Sequence, residues 1–344
     1  MRENIKDIFK FTIKAIIFCA IALVIMYILG PIFTPKWYNK VYEGSTRRMK
    51  GIYTEPRNTI DVVIAGNSDA YNAISTMKLW KDKGISSYHI GTPRQNAPIS
   101  YYVLKNFFDV QSPKIAIIDM DFAFEGKGYK KYIRRSVDDM PLNRNKLEMI
   151  NDPVFRNSLK TKISYVFPIL RFHSRWDEIS IDEIKQTYQK NDINFKGYEY
   201  SDDVVPYKGK KQTGKKVNII TKETNEYLDK ILKLCKENNT EVILIYAPAV
   251  KSWNQSKHDE CSKYAEQRNV TFIDYNISEF DWEKYTKDRG YHLNTDGAEV
   301  ITEQLENLLE KYNLPDHRGD TRYNQWDENY KIYENLKNSR SKNV

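Results

Sequence analysis

The sequence predicts an α/β protein in which a doubly wound, five-stranded parallel sheet is sandwiched by helices, with a helical insertion and one N-terminal transmembrane helix. Three observations carry that expectation. Beyond residue 57, short apolar runs alternate with helix-period patterns, which is how βαβ units read. Between Phe122 and Thr221 the alternation stops for about a hundred residues, far more than an ordinary connection needs. Ahead of everything stands AIIFCAIALVIMYILGPIF, Ala15 to Phe33, without a charge.

That first run has the length a membrane requires. A helix rises about 1.5 Å per residue and needs roughly 20 apolar residues to cross the hydrocarbon core; Phe11, Thr12 and Ile13 extend the run while Lys14 snorkels. A cleaved signal peptide is the alternative, but no small-x-small site closes the run, which leads into Gly30 and Pro31. Arg2, Lys6, Lys10 and Lys14 favour a cytoplasmic tail, although Lys36, Lys40, Arg47, Arg48 and Lys50 place a similar positive count beyond the span. The expected plan is a tail over 1–14, a span over 15–33 and a juxtamembrane linker over 34–57, a signal anchor that leaves the rest of the chain outside the cytoplasm.

Strands are expected at Ile60 to Ala65, Ser87 to Ile90, Lys114 to Met120, Glu241 to Tyr246 and Val270 to Tyr275. With helices between them they read as a flavodoxin-like domain over 58–312, its insertion at about 122–221, followed by a C-terminal arm and tail over 313–344. Asn96 followed by Pro98 caps a helix through Tyr101, Leu104 and Phe108, and Asp296 with Glu299 forms a capping box ahead of Ile301, Leu305 and Leu308. The end of the chain, NLKNSRSKNV, reads as frayed.

Hydrophobic residues at 40% and aromatics at 13% of 344 positions supply a core and exclude a disordered chain. A net charge of +8 suits an acidic partner; an anionic lipid surface, a phosphate-rich polymer and nucleic acid all qualify on charge alone. Two basic stretches in the insertion, KGYKKYIRR (Lys127 to Arg135) and KGKKQTGKK (Lys208 to Lys216), suit phosphates or anionic lipid, though the second fits a solvated, flexible face better. Cys19, Cys235 and Cys261 show neither a disulfide framework nor metal-ligand spacing.

In an open parallel sheet, ligands gather at the carboxyl ends of the strands, and Ser68 stands at one in IDVVIAGNSDAYNAI. Its hydroxyl is expected at a helix N-terminus, where free N–H groups stabilise an oxyanion, although Gly66, Asn67 and Ser68 are also ordinary turn residues. A second block, DRGYHLNTDGAEVIT, puts Asp288 and His292 just before the last amphipathic helix. A serine becomes a nucleophile when an imidazole takes its proton, and a carboxylate that fixes the imidazole's tautomer improves that base. The order Ser, Asp, His suits such a relay; a surface or capping histidine is the alternative. Asp69 puts a negative charge where charge must develop in the transition state.

Asp119 and Asp121, in IDMDF at a strand end, have the spacing to hold a divalent cation for phosphoryl or glycosyl transfer, but no glycine-rich phosphate cradle accompanies them. A structural or substrate-positioning role fits them better, and neither a metal nor a cofactor is expected. His173, Arg175 and Trp176 suit recognition of an anionic or sugar substrate, or a partly buried structural cluster. Arg318, Trp326 and Tyr330 read as packing the C-terminal arm onto the domain.

With these blocks together, the chain resembles the SGNH (GDSL-type) hydrolase superfamily, in particular its membrane-anchored branch of bacterial envelope polysaccharide acyl-modification proteins. There a G-x-S block follows the first strand and a D-x-x-H-L-N block precedes the last helix. GTPRQNAPISYYVLKNFF (Gly91 to Phe108) is similar to the second block, FPILRFHSRW (Phe167 to Trp176) to a motif of the insertion, and LPDHRGDTRYNQWDENYKIY (Leu314 to Tyr333) to the tail of this branch. The resemblance spans most of the soluble region. It implies Ser68 as nucleophile, His292 as general base and Asp288 as its orienting acid. It implies oxyanion donors at the backbone N–H of Ser68 and Gly91, with side-chain help from Asn96 or Gln95.

The activity so implied is that of a membrane-anchored serine acyltransferase or esterase adding or removing acetyl- or D-alanyl-type esters on an extracellular envelope polysaccharide or teichoic acid. A polytopic membrane-bound O-acyltransferase is the implied partner, beside the lipid bilayer itself; nucleic acid is not. The sequence departs from the pattern twice. Three residues, not two, separate Asp288 from His292, and the glycine-x-asparagine-aspartate block is absent, the third strand ending instead in IIDMDF. A catalytically inactive SGNH-fold protein that binds polymer or scaffolds a membrane O-acylation complex is the alternative.

Overall fold

The structure, a computed structural model, describes residues 2–36, 44–126, 130–188, 195–209 and 217–341, apart from the side chains of residues 2–4, 45, 47, 130, 131 and 341. The chain opens with α1 (Arg2–Phe33) and α2 (Ser45–Gly51). Next come β1 (Val62–Ala65), α3 (Ser68–Ala73), α4 (Thr76–Lys83), β2 (Ser87–His89), α5 (Ala97–Phe108) and β3 (Ile115–Asp119). The insertion holds α6 (Lys130–Val137), α7 (Arg144–Asn151), α8 (Leu159–Val166), α9 (Ile169–Phe172) and α10 (Ile181–Tyr188). The α/β alternation then resumes with α11 (Lys222–Glu237), β4 (Glu241–Tyr246), α12 (Gln255–Arg268), β5 (Thr271–Asp274), α13 (Thr295–Leu309) and α14 (Asn324–Ser341).

These elements form two compact units, Met1–Lys36 with Leu142–Lys190, and the remainder of the chain. In the second unit all five expected strands are present and pair in parallel in the order β2-β1-β3-β4-β5, most of them shorter than their apolar runs by a residue or two. Alternation along the strands explains the two layers of helix. Val62 and Ile64, Ile115 and Ile117, and Ile243 and Ile245 point to one face, into a core shared with α3, α4 and α13. The residues between them face the other way, where α5 and α11 pack together. Both faces of β1 and β3 are buried, which is why these strands read as continuous apolar runs. Strand order reverses between β1 and β3, so the carboxyl ends of these two strands flank the crevice where such sheets place their ligands.

Asn96 caps α5 as expected, its Oδ1 accepting from the Ile99 N–H at 3.2 Å. The cap of α13 differs: Asn294 serves, accepting from the Gly297 N–H at 3.0 Å, while Asp296 and Glu299 turn outward to Arg340, Tyr333 and Lys337 of α14. Those pairs hold α14 as a helix to Ser341, which corrects the expectation of fraying over 335–341; residues 342–344 lie outside the described residues. Trp326 is fully buried against Trp80, ring centroids 5.2 Å apart; Arg318 donates to the Lys81 carbonyl at 2.6 Å, and Lys81 Nζ lies 5.8 Å from the centre of the Tyr330 ring, so all three tie the arm to α4 as expected. Cys235 and Cys261 are buried free thiols.

The insertion is divided: α6 stays with the α/β unit, whereas α7 to α10 group with α1. Among the described residues α1 is one helix long and apolar enough to cross a membrane, over Ile5–Phe33. In its unit, a Cβ on Gly30 would stand 3.1 Å from the Pro168 ring, and Arg175 donates to the Phe33 carbonyl at 2.8 Å. Lys40, much of the basic run from Lys127 to Arg135 and all but Lys208 and Gly209 of the second basic run lie outside the described residues.

Candidate active site

Ser68 is the first residue of α3, directly beyond the end of β1. Asn67 makes the turn by accepting the Asp69 N–H on its own side chain at 2.9 Å. Two glycines let the strands close on this point. A Cβ on Gly66 would lie 2.7 Å from the Ala70 methyl and 2.9 Å from Asp119 Cβ; one on Gly91 would lie 2.7 Å from the Gly66 carbonyl oxygen. Gly91, beyond β2, is thereby drawn against the serine turn. Among the described residues, the backbone N–H groups of Ser68 and Gly91 donate to no acceptor, and the half-buried Ser68 hydroxyl makes no hydrogen bond. Two undirected N–H groups at a serine turn can receive an oxyanion.

The opposite wall is the loop between β5 and α13. Asp288 grips His292 twice, through the imidazole Nδ1 and through the backbone N–H at 2.7 Å. The extra residue between them is absorbed by two successive left-handed residues, Arg289 at φ 63° and Gly290 at φ 89°. The His292 Nε2 then points to the start of α3, 3.6 Å from Asp69 Oδ1, and makes no hydrogen bond to Ser68. Burial opposes the charge on Asp288, but the His292 hydrogen bond and charge outweigh it and hold its pKa below the ordinary carboxylate value.

Under the serine lies a buried carboxyl cluster. Asp121 receives Asn67 Nδ2 at 2.8 Å, Tyr246 Oη at 2.7 Å and Lys257 Nζ at 3.1 Å. Burial opposes its ionisation, yet Lys257, Asn67 and Tyr246 keep its pKa below the ordinary value. Asp69 shows the reverse: burial, then Asp121 and Asp119, push its pKa well up against the pull of Lys257. Asp119 is raised to about 7, first by burial and then by Asp121. The opposite directions favour the charge on Asp121 over Asp69, the residue next to Ser68. Asp121 already has an ammonium partner, and among the described residues no group of three or more His, Cys, Asp or Glu is arranged to hold a metal ion.

A charged network braces the turn. Arg48 donates to the Gly91 carbonyl at 3.1 Å, pairs with Glu199 at 3.2 Å and stacks on Tyr71 of α3 at 3.6 Å; Lys287 bridges Glu199 and Asn72 Oδ1. Sequence reasoning placed Arg48 in the juxtamembrane linker and did not single out Lys257, Asn67, Tyr246, Glu199 or Lys287. Only Asn67 had a local signal, as the amide in the quoted turn.

The remaining expected residues sit elsewhere. Gln95 is fully buried and spends both amide N–H groups, on the Ile90 carbonyl at 3.4 Å and Ser100 Oγ at 3.0 Å, so it has none left for an oxyanion. Asn96 caps α5 and directs its amide to the Gly126 carbonyl at 3.4 Å. His173, Arg175 and Trp176 belong to the unit built on α1, where Arg175 is occupied by Glu178, Glu183 and the Phe33 carbonyl. Beside the histidine loop, Val250 packs on Gly290 and lines a cleft of about 640 Å³ with Ile277, Glu279, Phe280, Asp281 and Trp282.

A five-stranded, parallel α/β sandwich with its serine turn and Asp-His loop at one rim is thus the class of molecule that the coordinates define. No protein-family model matches the chain, and no curated protein matches it. Among solved structures it is similar to a Bacteroides fragilis protein described as an acylhydrolase, at 14% identity over 77% of this chain and 95% of that one, with a TM-score of 0.39. It is also similar to a GDSL-like lipase of Bacteroides thetaiotaomicron, at 12% identity over 79% of this chain and 100% of that one, with a TM-score of 0.37.

Proposed function

We propose that the chain is a membrane-anchored serine esterase or acyltransferase of SGNH type, acting outside the cytoplasm on acetyl- or D-alanyl-type esters of an envelope polysaccharide or teichoic acid. The observation that carries it is the Asp288–His292 pair, whose free imidazole nitrogen faces the start of the helix that Ser68 begins. Ser68 Oγ attacks the acyl carbonyl carbon while His292 Nε2 takes its proton; the N–H groups of Ser68 and Gly91 receive the oxyanion. His292 returns the proton to the departing oxygen, leaving the acyl group on Ser68. A polymer hydroxyl, or water, then attacks with His292 again as base, and the proton goes back to Ser68 Oγ. Exclusion of water at this second step selects transfer over hydrolysis. A polytopic O-acyltransferase is the partner that would supply the acyl group.

A second reading, an inactive scaffold of the same fold, is favoured by one observation: His292 faces Asp69, and Ser68 Oγ makes no hydrogen bond. Fluorophosphonate labelling of the full chain in membranes separates the two. Labelling that disappears in Ser68→Ala supports the enzyme. A folded wild-type chain that resists the probe supports the scaffold.

A further inference from the structure

Two helices of the insertion leave apolar side chains at the surface. On α10, Glu183 faces inward to Arg175 at 2.9 Å, whereas Ile181, Ile184 and Tyr188, at spacings of three and four, are 71%, 38% and 63% exposed. On α8, Ser164 is buried while Leu159 and Ile163, one turn apart, are 73% and 42% exposed beside Lys160 and Lys162. Trp176, between these helices in sequence, is also largely exposed. Asp182 and Lys185 of α10 are exposed beside them, and α8 buries Tyr165 on its other side, so apolar and charged side chains share the outer face. Exposed apolar faces of this size signal a partner.

We propose that residues 142–188 form a platform that rests in the headgroup and acyl boundary of the bilayer. The proposal rests on the reading of α1 as a membrane span. The occupant follows from continuity, because α9 and α10 pack on α1 and α8 packs on α9 within one unit, and α1 carries exposed apolar side chains from Ile5 to Ile28. At 1.5 Å per residue, the uncharged run Ala15–Phe33 is roughly 28 Å long, close to the roughly 30 Å of a hydrocarbon core, so Phe33 falls at its far boundary. Pro168 beside Gly30 and Arg175 on the Phe33 carbonyl put the platform at the end of that stretch, where a span meets the interface. Trp176 and Tyr188 are the aromatic residues that favour headgroup depth, and Lys160 and Lys162 flank Leu159 and Ile163 as lysines do when they snorkel towards anionic lipid.

The test places one nitroxide at a time on the full chain, in a Cys19→Ser background, reconstituted in vesicles of phosphatidylglycerol and phosphatidylcholine. Labels at Leu159→Cys, Ile163→Cys, Ile181→Cys and Ile184→Cys are expected to show an oxygen-to-nickel-chelate accessibility ratio several-fold above that of Arg144→Cys in the same unit. Ile17→Cys reports on α1 separately. Free access of the chelate to the four positions, with Ile17 shielded, overturns the platform and leaves the anchor standing. Protection from both reagents means that protein covers the patch, a partner or a second copy, and overturns the assignment to lipid. Access of the chelate to Ile17 overturns the span on which the proposal rests.

Discussion

An aspartate directly after a nucleophilic serine is tolerable only when it is uncharged, since an anion there opposes the charge that acyl transfer develops. Burial, then Asp121 and Asp119, push the Asp69 pKa well up towards the uncharged form, while Lys257 pairs with Asp121 and keeps that carboxyl below its ordinary value. Asp69→Asn is therefore expected to retain an ester-hydrolysis rate close to wild type. Asp288→Asn presents an amide N–H to Nδ1, imposes the wrong tautomer, and is expected to lower kcat about 10³- to 10⁴-fold. A comparable loss in Asp69→Asn would show that Asp69 works as an anion. Asp119 gives the cluster a pH signature. Its pKa is raised to about 7, above the unfolded value near 4, so its contribution to stability is complete below about pH 4 and is lost as pH rises through about 7. Three units correspond to roughly 4 kcal/mol. Asp119→Asn keeps an oxygen for the Ala247 N–H and should flatten that decline; thermal unfolding between about pH 4 and pH 8 measures it, and superimposable profiles for the two proteins would refute it.

At the scale of elements, what could be read in advance was what local pattern determines. β1 and β3 were legible because burial on both faces leaves unbroken apolar runs, and Asn96 with Pro98 marked the start of α5 because cap and fixed φ act within one turn. Ser68, Asp288 and His292 were legible as residue types at the ends of elements. How they meet was not. The spacing of Asp288 and His292 looked irregular because the left-handed pair Arg289 and Gly290, which folds the carboxylate back, is a feature of backbone conformation. The α13 cap was misplaced because Asp296 and Glu299 also satisfy a capping pattern, and only the arrival of α14 shows that they serve as its ion-pair partners. Lys257 and Arg48 left no local trace, since their partners Asp121 and Glu199 are more than a hundred positions away. The division of the insertion was equally invisible, because helical period shows that a face is apolar but not which element covers it.

At the scale of the whole α/β unit, the two ends of its chain and the return from the insertion are fastened at one place behind the site. Lys196, fully buried, donates to Glu55 at 2.7 Å and Gln325 at 3.0 Å and lies 4.8 Å from the centre of the Trp326 ring. Trp326 in turn packs on Trp80 of α4, while Tyr333 of the same arm reaches Ser75 Oγ at 3.2 Å, in the link between α3 and α4. The arm thus supports the helix pair that begins with Ser68 without approaching the reacting atoms. Trp326→Ala removes a ring that is 1% exposed and leaves a cavity beside a buried cation, so a loss of about 3–5 kcal/mol is expected. Thermal unfolding of the full chain in detergent should show the loss as a lower Tm. Well below that Tm, the rate of fluorophosphonate labelling per folded molecule should be unchanged, because the arm acts on the stability of the scaffold. An unchanged Tm would mean that the arm is not part of the cooperative fold; an unchanged Tm with slowed labelling would mean that it acts on Ser68 through α3 and α4.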